Sequence, residues 1–180
     1  TDKVCLDLGG NVGGFTKVAI DGGAKAVYTV ECDIRNYEKM AESFADEPKA
    51  TIIHAAVSDS TAPSIRIYKG NSQQAHCSVS IMKRSKFTDY DEVINIHISE
   101  LLKKYQPDII KIDIEGAEYQ IIEFVEAYQP DALFVELHMG KVKQYAQPTL
   151  ERLSALYPKQ HVKELIVFQS VAGYDCWFTK

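Results

Sequence analysis

The sequence predicts a single α/β domain in which helices cover both faces of a mostly parallel sheet. Short apolar runs typical of buried strands alternate with segments of helical spacing, and parallel neighbours need such crossovers. Two strand-like segments with a glycine between them close the chain, which is typical of a hairpin. A chain of 180 residues suffices for one domain with a substantial core. We expect one domain over residues 1–180, which could be excised from a longer polypeptide because it begins without a methionine.

The first third of the chain follows the order strand, helix, strand, helix, strand. Val4–Leu8 is a short apolar run that ends at glycines, and Phe15–Ile20 follows with spacing compatible with a helix. Ala26–Glu31 is the second predicted strand and Tyr37–Phe44 the second predicted helix. Thr51–Val57, rich in Ile, Ala and Val, is predicted as the third strand.

Between residues 58 and 98 the pattern changes to short alternating segments separated by Gly, Asn, Ser and Asp. Antiparallel strands or loops above the sheet are predicted at three places: Ser64–Tyr68, Cys77–Met82 and Val93–Ile98. Ser99 is predicted to cap a helix that runs through Lys104, and Pro107 is predicted to stop it.

The alternation of strands and helices resumes in the second half. Asp108–Ile114 is the strongest candidate for a buried strand, and a helix with its apolar residues on one side is predicted after Gly116. Ala132–Leu137 is the next predicted strand and Thr149–Leu156 the next predicted helix.

The chain ends in two further strand-like segments, Val162–Phe168 and Tyr174–Thr179. We predict that they pair as a hairpin that turns around Gly173. This hairpin would add one antiparallel strand to the sheet.

Composition excludes several functional classes. The formal net charge of −5 argues against a nucleic-acid partner, because phosphate neutralisation needs a surplus of Lys and Arg, and the basic residues 83–86 are interpreted as a solvated loop. The sequence has no apolar run long enough to span a bilayer and no signal peptide, so we expect a cytoplasmic protein without membrane contact. The cysteines lack the spacing of zinc sites or redox dithiols, and we expect reduced, mostly buried thiols: Cys5, Cys32, Cys77 and Cys176.

The loop after the first strand carries the first functional signal, because ligands of open α/β sheets bind outside the carboxyl ends of the strands. The loop lacks the Lys and Ser or Thr of a phosphate loop, and Asn11 stands where a dinucleotide fingerprint needs glycine. Asp7, directly before the loop, would repel a pyrophosphate and attract the ammonium of a methionyl group. We therefore expect a cationic, phosphate-free ligand. The loop has glycine at four positions: Gly9, Gly10, Gly13 and Gly14.

Glu31 ends the second strand and provides the second signal. It lies 22 positions beyond Gly9, close to the roughly 20 residues at which an acidic side chain meets ribose hydroxyls. Its two carboxylate oxygens can accept hydrogen bonds from two vicinal hydroxyls. Adenosine with a positively charged amino-acid arm meets both requirements.

Several segments resemble the FkbM family of methyltransferases. They are DLGGNVGGFT from Asp7, VEC around Glu31, AAVSD up to Asp59, KIDIEGAE from Lys111 and VELH up to His138. The match spans most of the chain, and KIDIEGAE is its more specific part. The resemblance implies a Rossmann-like fold with a seven-stranded sheet, S-adenosylmethionine as the donor, and O-methylation of a sugar, glycan or small natural product.

The predicted site combines the first loop with the strand ends. The cofactor-binding residues we predict are Asp7, Gly9, Gly10, Asn11, Gly13, Phe15, Glu31, Ser58, Asp59 and Asp113. The catalytic residues we predict are Asp113, Glu115 and His138.

His138 is predicted as the general base, because a hydroxyl acceptor must lose a proton and histidine most often takes it. Glu115 stays open as a base, an acceptor ligand or a metal ligand, and Glu118 is explained by the dipole of its helix. The acids near the strand ends could gather a Mg²⁺, but this cation often keeps its waters and takes few protein ligands, so we assign no metal.

Two other functions stay open. A catalytically silent adenosyl-binding module of a larger protein would share the donor site and differ only in turnover. An RNA ribose 2′-O-methyltransferase is the other, since Lys111 and Asp113 occur together. Against it, we expect the Lys111 side chain to point away from Asp113, and the composition provides no basic groove.

Overall fold

The computed structural model describes residues 2–69, 79–80, 89–138, 143–167 and 170–180. The strands in these residues are β1 (Val4–Leu8), β2 (Ala26–Glu31), β3 (Ala50–His54), β4 (Ala56–Ser58), β5 (Ser64–Lys69), β6 (Val79–Ser80), β7 (Asp89–His97), β8 (Ile109–Ile112), β9 (Ala132–His138), β10 (Lys159–Val167) and β11 (Ser170–Thr179). The helices are α1 (Gly14–Asp21), α2 (Ile34–Ser43), α3 (Ile98–Tyr105), α4 (Glu118–Tyr128) and α5 (Lys143–Leu156).

Seven strands form the main sheet in the order β10-β11-β9-β8-β1-β2-β3. β11 pairs antiparallel with β9 and β10, and all other pairs in this sheet are parallel. This confirms the predicted sheet and its single antiparallel strand. The chain leaves β1 toward β2 and β3 on one side and later adds β8 and β9 on the other. The strand order therefore reverses beside β1, the place where open α/β sheets bind ligands.

Helices cover both faces of the main sheet, as predicted. Leu6 and Leu8 of β1 belong to the main core, which also contains buried residues of α3, α4 and α5. Cys5 belongs instead to a smaller cluster with Val27, against which side chains of α1 pack. Because side chains alternate across a strand, Asp7 shares the α1 face with Cys5.

The third predicted strand, Thr51–Val57, is wrong as a single element. β3 pairs with β2, whereas β4 pairs with β7 in a second sheet of order β4-β7-β5-β6. The break lies at Ala55, whose N–H donates to the carbonyl of Glu31 at 3.1 Å. Because β2 ends at Glu31, the chain beyond this point has no partner strand there and joins the second sheet. β5 and β7 pair antiparallel in it, which confirms antiparallel strands in this part of the chain.

The starts of two helices differ from the prediction. The Asp33 carboxylate accepts a hydrogen bond from the N–H of Arg35, so α2 begins at Ile34, three residues earlier than predicted. His97 rather than Ser99 caps α3, because its Nδ1 accepts from the N–H of Ser99 at 3.2 Å.

Two further predicted boundaries in the last third are corrected. α5 begins at Lys143 and contains Pro148, whereas the prediction placed its start just after this proline. Gly173 lies inside β11, and the pairing of the two strands continues beyond it to Val167 and Ser170. A Cβ at Gly173 would lie 2.6 Å from the carbonyl oxygen of Leu137. The glycine is therefore explained by the close approach of β11 to β9 and not by a turn.

Three cysteines, Cys5, Cys32 and Cys176, are free thiols, as predicted. Burial raises the pKa of Cys5 to about 11 and that of Cys176 to about 12, so both stay protonated at neutral pH. Cys77 and the basic residues 83–86 lie outside the described residues. In the part of the chain that the structure describes, no helix has both the length and the apolar character needed to cross a bilayer.

Candidate active site

The loop between β1 and α1 is packed tightly against its neighbours. Gly9 has a φ of +83°, and a Cβ there would lie 1.8 Å from the carbonyl oxygen of Asp113. A Cβ on Gly10 would lie 2.3 Å from a β2 side chain, and one on Gly13 2.5 Å from the ring of Phe44. Any other residue at Gly9 would push the loop away from the end of β8. The glycines thus bring the ends of β1 and β8 together.

Asp7 lies below this loop and is fully buried. Its Oδ2 accepts a hydrogen bond from the Thr16 hydroxyl at 3.0 Å, and its Oδ1 lies 3.4 Å from Nζ of Lys111. Lys111 Nζ also donates to the carbonyl of Gly9 at 2.6 Å. A buried ion pair therefore ties the base of the loop to β8. The role predicted for Asp7 toward a ligand ammonium stays a prediction, and here its charge is met by Lys111.

The prediction that Lys111 points away from Asp113 is wrong. Lys111 Nζ lies 3.4 Å from Oδ2 of Asp113. Residues two apart in an extended chain share a face, so this proximity follows from the pleat. Lys111 also stands opposite Asp7 in the β1–β8 register. Burial by itself lowers the pKa of Lys111, but Asp7 and Asp113 outweigh it and raise that pKa, so the ammonium stays charged.

The first turn of α1 is open. Gly13 at the N-cap provides no side-chain hydrogen bond, and the first turn contains no acidic residue. A Cβ built on Gly14 would meet no atom within 4 Å. The amino end of a helix attracts anionic groups through its unpaired N–H groups and its dipole. A carboxylate is such a group.

Glu31 is held in one orientation at the end of β2. Its Oε2 accepts from the N–H of Asn11 at 2.8 Å, and its Oε1 accepts from the N–H of Asp33 at 2.7 Å. Burial raises its pKa, which these two backbone donors partly oppose. Each carboxylate oxygen has a further lone pair for a ligand hydroxyl. The ribose role of Glu31 stays a prediction that this geometry permits.

Three other predicted cofactor residues are not part of the loop itself. Phe15 packs beside the Cys5 cluster, with its ring centroid 5.9 Å from that of Phe134. Ser58 is buried at the end of β4, and its hydroxyl donates to Asn95 at 2.8 Å. Asp59 follows it and is exposed. Their roles toward a cofactor stay predictions, and the contacts of Phe15 and Ser58 are those of packing and hydrogen bonding within the fold.

An acidic group surrounds His138 at the end of β9. Its Nε2 lies 3.3 Å from Glu136 and 3.6 Å from Glu115. Asp113, Glu136 and His138 each offer one oxygen or nitrogen atom, and these atoms all lie within 4.8 Å of one another. All three predicted catalytic residues therefore meet at the carboxyl edge of the sheet, beside the glycine loop.

Glu118 is the site residue that the sequence argument missed. It is fully buried, and its Oε1 lies 3.0 Å from Nδ1 of His138. The same oxygen accepts from the N–H groups of Ile114 and Gly116 at 3.2 and 3.0 Å. These bonds hold the turn in which Glu115 adopts a φ of +56°, a backbone conformation that residues other than glycine rarely adopt. Glu118 therefore fixes both the ring of His138 and the backbone of Glu115.

Burial and neighbouring charges shift the pKa values of His138 and Glu136. Burial by itself lowers the pKa of His138, but the hydrogen bond that its ring donates to Glu118 and the charges of three carboxyl groups raise it to about 9. Burial and the charge of Asp113 raise the pKa of Glu136 to about 7. At neutral pH the imidazole of His138 is therefore protonated on both nitrogens and positively charged. It must lose one of these protons before it can act as the predicted base.

Solved structures with the same fold include methyltransferases. The methyltransferase FkbM from Methylobacillus flagellatus KT is 14% identical with a TM-score of 0.61, and the match covers 98% of this chain and 43% of that chain. An rRNA methylase from Streptococcus thermophilus is 9% identical, with a TM-score of 0.58 and coverage of 99% and 87%. TYW2 from M. jannaschii, solved in complex with AdoMet, is 12% identical, with a TM-score of 0.54 and coverage of 99% and 68%. At these identities the likeness concerns the fold, and this chain spans less than half of the Methylobacillus protein.

A comparison with curated protein sequences gives no significant match. The methyltransferase FkbM domain matches residues 7–176, which is nearly the whole chain. This match confirms the resemblance carried by the motifs, and together with the methyltransferase fold it supports S-adenosylmethionine as the cofactor. The chain belongs to the FkbM family of methyltransferases.

Proposed function

We propose that this domain transfers the methyl group of S-adenosylmethionine to a hydroxyl oxygen of a sugar, a glycan or a small natural product. Methyl transfer follows from the family, and the choice of an oxygen acceptor is the proposal. One observation carries it: Asp113, Glu136 and His138 converge within 4.8 Å beside the loop assigned to the donor. A hydroxyl is weakly acidic and must give up its proton during transfer. The carboxylates of this group can take it, while His138 is protonated at neutral pH.

The residues of the loop fit the donor. The open first turn of α1 suits the methionyl carboxylate, and the fixed carboxylate of Glu31 suits the two ribose hydroxyls. Asp113, whose side chain is 33% exposed, is available to the methionyl ammonium. No group in this arrangement requires a phosphate. When bound, S-adenosylmethionine supplies an electrophilic methyl group.

Asp113 connects the donor side of the site with the acceptor side. It lies 3.4 Å from Lys111 below the glycine loop and belongs to the group around His138. An acceptor hydroxyl held in front of this group has its proton acceptors at hand. Holding it in line with the methyl group contributes up to about 7–11 kcal/mol in favourable cases. His138, protonated and fixed by Glu118, orients the acceptor oxygen by donating a hydrogen bond through Nε2.

The test is an incubation of the full chain with labelled S-adenosylmethionine and a panel of sugars, glycosides and natural products with free hydroxyls. We expect an O-methyl ether, identified by mass spectrometry and NMR. His138→Gln should lower turnover by about 10²- to 10⁴-fold, the range of general acid–base assistance, with donor affinity within a few fold of wild type. His161→Gln is the matched control, because His161 is an exposed histidine on the edge strand β10. It should leave turnover unchanged.

Two results would contradict the proposal. A methylated nitrogen or carbon in the product would exclude the oxygen acceptor. Donor binding by calorimetry without product from any hydroxylated acceptor would favour a silent adenosyl-binding module. Unfolding temperatures of both variants separate lost chemistry from lost folding, which matters because His138→Gln removes the partner of the buried Glu118.

A further inference from the structure

The imidazole of His138 is oriented toward carboxylates in the way that a metal-binding histidine is. Its Nδ1 faces Glu118, and its Nε2 faces Glu136 and Glu115 at 3.3 and 3.6 Å. In metal sites, a histidine ligand almost always donates its other ring N–H to a carboxylate, a carbonyl or water, which fixes its tautomer. Glu118 takes the part of that carboxylate. The Nε2 lone pair of a neutral His138 would then face the acidic group.

A second observation concerns the other oxygen of Glu118. Glu118 is fully buried, and its Oε2 has no hydrogen-bond partner among the described residues. A buried carboxylate oxygen without a partner is costly, and nearby positive charge lowers that cost. Lys111, the cation beside Asp113, is shared with the buried Asp7. The described residues around His138 therefore include more carboxyl groups than basic groups.

We propose that Asp113, Glu136 and His138 bind a divalent cation. The donor set is one imidazole nitrogen and two carboxylate oxygens within 4.8 Å of one another, which suits Mn²⁺ and other first-row divalent ions better than Ca²⁺ with its six to eight oxygens. The remaining coordination positions take acceptor oxygens, so the favoured substrates carry two adjacent hydroxyls. A cation here lowers the pKa of a bound hydroxyl, so that its proton is lost more readily. This part of the inference rests on the proposed function.

The direct test is a titration of the full chain with Mn²⁺, followed by electron paramagnetic resonance of the free ion, without donor or acceptor. We expect one saturable site per chain. Glu136→Gln and His138→Gln should each weaken it by tenfold or more. Glu118→Gln, which changes no ligand, should weaken it by about 10- to 100-fold because the ring of His138 loses its orientation. Asp21→Asn, which removes a carboxylate paired with Lys17 on the exposed side of α1, should leave the affinity unchanged.

A linear titration without saturation would overturn the inference, and so would equal affinity in wild type and in Glu136→Gln. Glu136→Gln keeps the size and polarity of the side chain, so it covers the case in which His138→Gln fails to fold. Turnover and donor binding are then measured with and without a chelator. Saturable Mn²⁺ binding without methyl transfer would refute only the proposed function. Undiminished O-methylation in the chelator, with no Mn²⁺ binding, would refute only the metal site.

Discussion

The buried ion pair between Asp7 and Lys111 gives a prediction that does not depend on any ligand. Lys111→Met removes the cation that stands 3.4 Å from a fully buried carboxylate. Removing one partner of such a pair costs about 3–5 kcal/mol, because a charge is left buried without compensation. The variant can limit this cost by protonating Asp7. Each pH unit above the ordinary pKa of 3.8 costs about 1.4 kcal/mol, so the limit at pH 7 is about 4 kcal/mol.

The sign of the pH dependence follows from the same reasoning. Burial already raises the pKa of Asp7 above its ordinary value, and loss of Lys111 raises it further. A carboxyl with a raised folded-state pKa contributes most to stability below its unfolded-state pKa and loses that contribution as pH rises toward the folded value. Urea denaturation should therefore show a loss of about 2–4 kcal/mol at pH 7 and less than about 2 kcal/mol at pH 5.

Two further variants make this prediction refutable. Asp7→Asn combined with Lys111→Met leaves neither charge of this pair, so the double variant should be more stable at pH 7 than Lys111→Met alone. Lys17→Met, which breaks the exposed pair with Asp21, should leave the urea midpoint unchanged. A loss in Lys111→Met that is the same at pH 5 and pH 7, with no rescue by Asp7→Asn, would show that the two side chains are not coupled.

Two other variants test the donor site and the fold. Glu31→Gln should weaken S-adenosylmethionine binding by about tenfold or more, since a hydrogen bond to a charged group contributes about 1.5–3 kcal/mol. Glu38→Gln, a change at an exposed glutamate, should leave the affinity unchanged. Equal affinities of wild type and Glu31→Gln by calorimetry would remove Glu31 from the ribose site. Gly173→Ala should lower the free energy of unfolding by about 1–3 kcal/mol, because its Cβ would lie 2.6 Å from the carbonyl oxygen of Leu137. Gly14→Ala, whose Cβ would meet no atom within 4 Å, should leave it unchanged. An unchanged melting temperature for Gly173→Ala would contradict the close packing of β9 and β11.

The order of strands and helices could be predicted because it depends on local patterns. Short apolar runs mark the strands of the main sheet, and glycines mark the end of β1. Residues that follow parallel strands meet at one edge of the sheet, so Asp113 and His138 could be placed together from chain order alone. The break between β3 and β4 could not, because it depends on where the neighbouring strand ends. In the sequence Gly173 indicates a turn, whereas in the structure it allows the close approach of β11 to Leu137.

The two site residues that the sequence argument misjudged were missed for different reasons. The signal for Lys111 was present, since it stands two residues before Asp113 and interrupts an otherwise apolar strand. The period of the pleat places both side chains on one face of the sheet, and Lys111 lies beside Asp7 of the neighbouring strand. Glu118 offered no such signal, because an acid in the first turn of a helix is fully explained by the dipole. Its role depends on the end of β9 reaching the start of α4, which brings His138 within 3.0 Å.

The same electrostatic device occurs on both sides of Asp113. Below the loop, the buried carboxylate of Asp7 holds Lys111, and at the end of β9 the buried carboxylate of Glu118 holds His138. In each case a fully buried acid fixes a less buried base, and the base approaches Asp113 or its group. Groups that are fixed before the ligands arrive need no reorganisation during the reaction, which is the main source of electrostatic catalysis. Because the two pairs share only Asp113, changes at Lys111 should act on the donor loop and changes at Glu118 on the acceptor side.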